Sequence, residues 1–174
     1  LAVCSIAGAE KEKPTMTYAI TGLDSDSFAP LFDLDDATLA ARNAVRVTAS
    51  ADRGFPCRIS LEDAAAGEEL ILLHHTSHDV ATPYRSAYAI FVRKGAERAR
   101  FVDSVPPVFE GRPLGLRGFD ANGVLRDARL ALPDEAEAKI IDLFANPVIA
   151  YIDAHNAAHG CFAARVERHG DAPC

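Results

Sequence analysis

The sequence predicts one α+β domain, a mainly antiparallel, curved sheet with one or two helices packed on it. Three observations carry this. Apolar residues fall in short runs of strand length, several of them alternating with polar residues and bounded by turn formers. The two segments with helical character do not alternate regularly with strands, which a doubly wound parallel sheet requires. The chain of 174 residues, 49% hydrophobic and 25% charged, has the size and composition of a single globular domain. It contains no internal repeat, low-complexity stretch or internal linker.

In chain order, residues 18–23 read as a strand stopped by the turn and capping cluster at residues 24–27. A short helix follows, with Asp35 or Asp36 as N-cap and Leu39, Ala40 and Ala41 on its apolar side. Residues 44–49 set Val45 and Val47 against Arg46 and Thr48, the alternation of a half-buried strand. Residues 57–61 can extend, residues 70–73 form an apolar central strand, and residues 76–86 read as a polar loop before a strand at 87–93. Pro106-Pro107 forbids regular pairing nearby. Residues 114–119 and 124–132 flank Asp120-Ala121-Asn122-Gly123 as a hairpin. A second helix starts near Pro133, with Asp134 as cap and Glu137 completing a capping box. Ala136, Ile140, Leu143 and Phe144 share one face of it, and Asn146-Pro147 ends it. Residues 148–155 and 161–167 are the last strands, joined by a turn at 156–160.

Charge narrows the function. A formal net charge of −7 argues against nucleic acid and against docking on anionic lipid. No apolar run approaches the roughly 18 residues of a membrane span. Four cysteines, with no C-x-x-C pair, are too sparse for a disulfide scaffold, so a reducing cytoplasm is the expected location. Residues 1–15 are set apart as a non-native or disordered extension, with Met16 the natural start and a domain over residues 16–168. Residues 169–174 read as a flexible tail. The alternative for the first segment is an export remnant: Ala7-Gly8-Ala9 has the form of a cleavage site, but there is no basic n-region.

One ordered set of motifs spans the folded part. Gly54-Phe55-Pro56-Cys57-Arg58 comes first, then Ser60-Leu61-Glu62-Asp63-Ala64, Gly67-Glu68, and Pro83-Tyr84 leading into Ile90-Phe91-Val92-Arg93. It continues with Tyr151-Ile152, His155-Asn156-Ala157 and Gly160-Cys161-Phe162-Ala163. Together these resemble the bacterial family catalogued as domain of unknown function 1203, over about residues 18–168. The resemblance implies one domain starting near Met16, and it brings no activity, substrate or cofactor with it. Some relatives read Pro-Cys-Arg-x-Cys-Leu and Cys-Phe-x-Cys-Arg, a set of four thiolates able to hold zinc. Here Ser60 and Ala164 stand at the second cysteine of each pair, so a zinc role does not carry over unless histidines complete the set.

Read from their own chemistry, Cys57 and Cys161 are a redox couple, a metal half-site, a nucleophile with its partner, or two small buried hydrophobes. Cys161 with His155 and Asn156 is chemically sufficient for thiol acyl transfer, although Asn156 also suits a plain turn. His74, His75 and His78 form H-H-x-x-H without the glutamate of a metalloprotease, and solvated loop histidines are the expectation, with no metal or cofactor assigned. Arg58, Arg85 and Arg93, with Tyr84, could fork onto a small anionic ligand. The preferred reading is a small-molecule-binding or catalytic domain whose site lies where Cys57-Arg58 meets the turn from His155 to Cys161. The alternative is a non-catalytic interaction module in which these residues are structural. Whether the domain is an enzyme stays open, as does its oligomeric state.

Overall fold

A computed structural model describes residues 17–170, so the expectations for residues 1–15 and for the end of the tail lie outside the described residues. Among the described residues are nine strands and two α-helices. They run β1 (Tyr18–Thr21), α1 (Asp36–Ala41), β2 (Ala44–Thr48), β3 (Glu69–His78), β4 (Ser86–Arg93) and β5 (Arg100–Val102). Then follow β6 (Leu114–Phe119), β7 (Leu125–Ala131), α2 (Ala136–Phe144), β8 (Tyr151–Asn156) and β9 (Phe162–Arg168). The α+β class and the antiparallel pairing are as expected, but the strands form two sheets where one was anticipated. A six-stranded sheet has the order β5-β1-β9-β8-β6-β7, and a three-stranded sheet the order β2-β3-β4.

The larger sheet and α2 enclose the main core. Ile140, Leu143 and Phe144 of α2 pack with Leu116, Ile152 and Val166 from the sheet, all buried. A second cluster joins Leu39 of α1 to Ile71, Ile90 and Val92 of the small sheet, with Cys57, Ile59 and Phe162. The cap of α1 is as read: Asp35 accepts the Thr38 N–H at 2.7 Å.

The segment at residues 57–59 fastens the two sheets together. The Arg58 N–H donates to the Phe91 carbonyl of β4 (2.9 Å), and the Arg58 carbonyl accepts from Leu23, just past β1 (2.8 Å). The Ile59 carbonyl accepts from Ala99 at 3.0 Å, on the approach to β5. Gly22 lies so close that a Cβ there would overlap the Ile59 carbonyl.

Four local expectations are corrected, and one strand is new. Residues 57–61 are not a strand. They make one parallel bridge, Cys57 to Phe91, and then turn, with Leu61 at φ +56°. Residues 76–86 are not all loop, because β3 runs on to His78; its polar end is held by rings, with His75 against Phe28 and His78 stacked on Phe119. Asp134 does not cap α2. It sits at φ +71° in the turn, and Glu135 takes the cap position, with helical backbone and no side-chain cap. Val45 is 52% exposed because β2 is an edge strand, while Arg46 is held by Glu69 and the Leu34 carbonyl. β5, only three residues long, was not anticipated.

Candidate functional site

A cavity of about 280 Å³ opens where residues 56–58, β4 and the β8–β9 turn meet. Leu72, Ile90 and Phe91 give it apolar walls, and Tyr88 stands at its side. Its polar groups come from Arg58, Arg112, Asn156, His159 and Cys161. Sequence reasoning placed a site at this junction from Arg58 and the turn, but missed Tyr88, Arg112 and His159. His159 carried a usable signal, since it lies inside the suspected turn. Arg112 carried none, because its contact with the site comes from the irregular chain before β6.

Arg58 dominates the cavity. It is only 3% exposed, and among the described residues it has no carboxylate partner. Its Nη2 donates to the Cys161 sulfur at 3.5 Å, while its buried Nε has no acceptor. Burial lowers its pKa, partly offset by the contact with Cys161, but a guanidinium stays charged under these conditions. The neighbouring arginines are matched. Arg112 Nη2 reaches both Asp63 oxygens at 2.8 and 2.7 Å, and Arg93 pairs with Glu62 and Glu68. Thus a buried, forked donor set with an unmatched positive charge lines a mostly apolar hollow.

The two cysteines play different parts. Cys57 is fully buried and does not line the cavity; its sulfur accepts the Arg93 and Ile59 N–H groups at 3.3 and 3.4 Å, closing the 57–59 turn. Cys161 is half-buried on the cavity wall. Both are free thiols.

The Cys–His–Asn arrangement is not assembled. Successive residues of a strand point to opposite faces, so Asn156 borders this cavity while His155 borders a separate one of about 180 Å³ with Arg117, Ser77 and Gly160. The His155 Nδ1 lies 3.3 Å from the Asp153 carbonyl, and its ring meets Phe162 edge-on. Burial, helped by the charge of Arg117, pushes the His155 pKa down to about 4. The Asn156 Oδ1 accepts from the N–H groups of Ala158 and His159 at 3.0 and 2.9 Å, which makes it a turn former.

Other expected partners lie elsewhere. Arg85 is on the surface with Asp79 at 2.7 Å, and the Tyr84 carbonyl bonds His78 Nδ1 at 3.0 Å, so neither lines the Arg58 cavity. The histidines of the H-H-x-x-H run do not converge. His78 Nε2 is engaged by the Tyr151 hydroxyl at 2.8 Å, and burial lowers the pKa of His75. Ala164 is buried in the main core, and no three His, Cys, Asp or Glu side chains among the described residues could hold a metal.

The family profile described as Protein of unknown function (DUF1203) matches residues 54–168. The chain belongs to this family. The match starts later than the resemblance read from residue 18, leaving β1, α1 and β2 ahead of it, but it takes in every residue of the Arg58 cavity. No curated protein and no solved structure matches the chain.

Proposed function

We propose that the domain binds a small organic anion, a carboxylate with an apolar body, in the Arg58 cavity. The observation that carries this is Arg58 itself. A buried guanidinium without a carboxylate partner is costly, and a planar anion in the cavity that Arg58 lines would supply the missing counter-charge. Leu72, Ile90 and Phe91 suit an apolar body, and such a mix of apolar wall and few polar groups is usual for ligand cavities. Titration calorimetry with butanoate, 4-methylpentanoate and phenylacetate, each beside its neutral amide, tests the reading. Carboxylates are expected to bind and amides not, with binding lost in Arg58→Met. Equal binding of acid and amide, or binding unchanged in Arg58→Met, rejects it.

A further inference from the structure

The Arg58 cavity also lies along an open backbone edge. Among the described residues β4 is the outer strand of the small sheet, with β3 as its only strand neighbour. The direction of its backbone groups follows from the ladder. The Lys94 N–H donates to the Glu69 carbonyl, which makes Glu69 and Lys94 a hydrogen-bonded pair. In an antiparallel ladder such pairs alternate. With Ile71 opposite Val92, Leu73 opposite Ile90 and His75 opposite Tyr88, those β4 residues bond β3. Arg93, Phe91, Ala89 and Ala87 therefore turn their N–H and C=O groups to the free edge.

Two independent contacts agree with this parity. The Phe91 carbonyl takes the Arg58 N–H, and the Arg93 N–H reaches the Cys57 sulfur, both outside β3. The 56–58 segment thus begins a parallel extension of the sheet and then abandons it. Residues 54–55 turn off instead toward Asp63 and Ala64, with the Gly54 N–H on Asp63 Oδ1 and the Phe55 carbonyl on the Ala64 N–H. Where the ladder would continue, Ala89 lines the Arg58 cavity and Ala87 lines the smaller cavity, with Tyr88 bordering both. Among the described residues nothing occupies the edge groups of Ala89.

We infer that the ligand is an N-acylated amino acid unit, whose amide continues the β4 ladder at Ala89 while its carboxylate meets Arg58. This rests on the carboxylate reading above and adds the amide. The N–H and C=O of a trans amide point to opposite sides, so the amide meets the edge through its N–H, which donates to the Ala89 carbonyl, and main-chain pairing to an open edge is an established mode of recognition. Two sources carry this chemistry: a free N-acyl amino acid, or the carboxyl end of a peptide whose preceding residue reaches the Ala87 edge.

The test compares four ligands by calorimetry on the full chain: N-acetyl-leucine, its ester analogue 2-acetoxy-4-methylpentanoate, 4-methylpentanoate, and acetyl-Ala-Ala-Leu. The ester lacks the amide N–H and keeps the shape and charge. N-acetyl-leucine is expected to bind about tenfold more tightly than the ester and than 4-methylpentanoate, the scale of one added hydrogen bond. Equal affinity of amide and ester overturns the inference while leaving the carboxylate reading intact; failure of all four to bind overturns both. A tenfold gain for acetyl-Ala-Ala-Leu over N-acetyl-leucine assigns the peptide end, and no gain assigns the free N-acyl amino acid.

Discussion

Replacing Arg58 by methionine separates a binding role from a structural one, because the two predict different outcomes for stability. Methionine keeps an unbranched apolar stem in the space the arginine stem fills and removes the charge. Arg58 is 3% exposed and unmatched by a carboxylate among the described residues, so its desolvation is only weakly compensated. Replacing even a buried ion pair by well-packed apolar side chains of similar volume is often neutral or stabilising by about 1–4 kcal/mol. Against this stands the lost contact to the Cys161 sulfur, on the order of 1 kcal/mol at most, since the half-buried thiol can turn to water. The expected net effect runs from about neutral to a gain of about 3 kcal/mol, a rise in melting temperature of up to about 9 °C for a domain of this size. Urea denaturation and calorimetric melting in ligand-free buffer measure it, with carboxylate titration on the same samples. Arg58→Met should be at least as stable and unable to bind. A loss of 2 kcal/mol or more in the empty protein would show that the fold depends on the guanidinium, and the binding argument would fall with it.

Three further outcomes are expected. The His155 pKa is about 4 in the folded protein against about 6.5 when unfolded, so this histidine's contribution is complete above pH 6.5. Between pH 6.5 and 4 the unfolded chain takes up a proton that the folded one refuses. By pH 4.5 the loss reaches roughly 2 to 3 kcal/mol, which His155→Gln should remove from the difference between urea titrations at pH 7 and pH 4.5. An NMR titration placing the imidazole pKa near 6.5 would contradict this. Asp153 is fully buried and held by Arg165 through two contacts of 2.7 and 2.9 Å. Arg165→Ala should cost about 3–5 kcal/mol, and Arg165→Met combined with Asp153→Asn clearly less than the two single changes added, as a double-mutant cycle would show. Gly22→Ala forces the Ile59 carbonyl away and with it the Arg58 peptide, so it should weaken carboxylate binding as well as lower stability by more than 2 kcal/mol. Unchanged binding at reduced stability would mean that the 57–59 segment absorbs the shift without moving Arg58.

What could be read in the residues alone is what depends on neighbours in sequence. The Asp35 cap, the apolar face of α2, the Asp120–Gly123 hairpin and the turn at 156–160 all rest on contacts within a few residues. What could not be read depends on distant partners. β5 is defined by pairing Phe101 with Ile20, and β1, legible as a strand, finds its other neighbour in β9 at the far end of the chain, so neither β5 nor the division into two sheets leaves a local pattern. The polar end of β3 is strand only because Phe28, Phe119 and Tyr151 come to meet its histidines. At the site, residue types drew attention to Cys57-Arg58 and to the turn before Cys161. They could not tell that Cys57 closes a backbone turn, that Arg58 goes unmatched, or that Tyr84 and Arg85 lie elsewhere, because each depends on which acceptors the fold delivers.

The position of β9 bears on how the chain reaches its folded state. β2, β3 and β4 are consecutive and, among the described strands, pair with one another, so the small sheet can form while most later residues are still unstructured. The large sheet cannot close that way. β9 is the last strand in sequence yet lies between β1 and β8, and β1 and β5 have no other route into that sheet. Until β9 arrives, β1 and β8 each present an unpaired edge of the kind that recruits other chains. During synthesis the three-stranded sheet would be complete while β1 still waits for its partner. Pulse-labelled hydrogen exchange should accordingly protect β3 and β4 amides before those of β1.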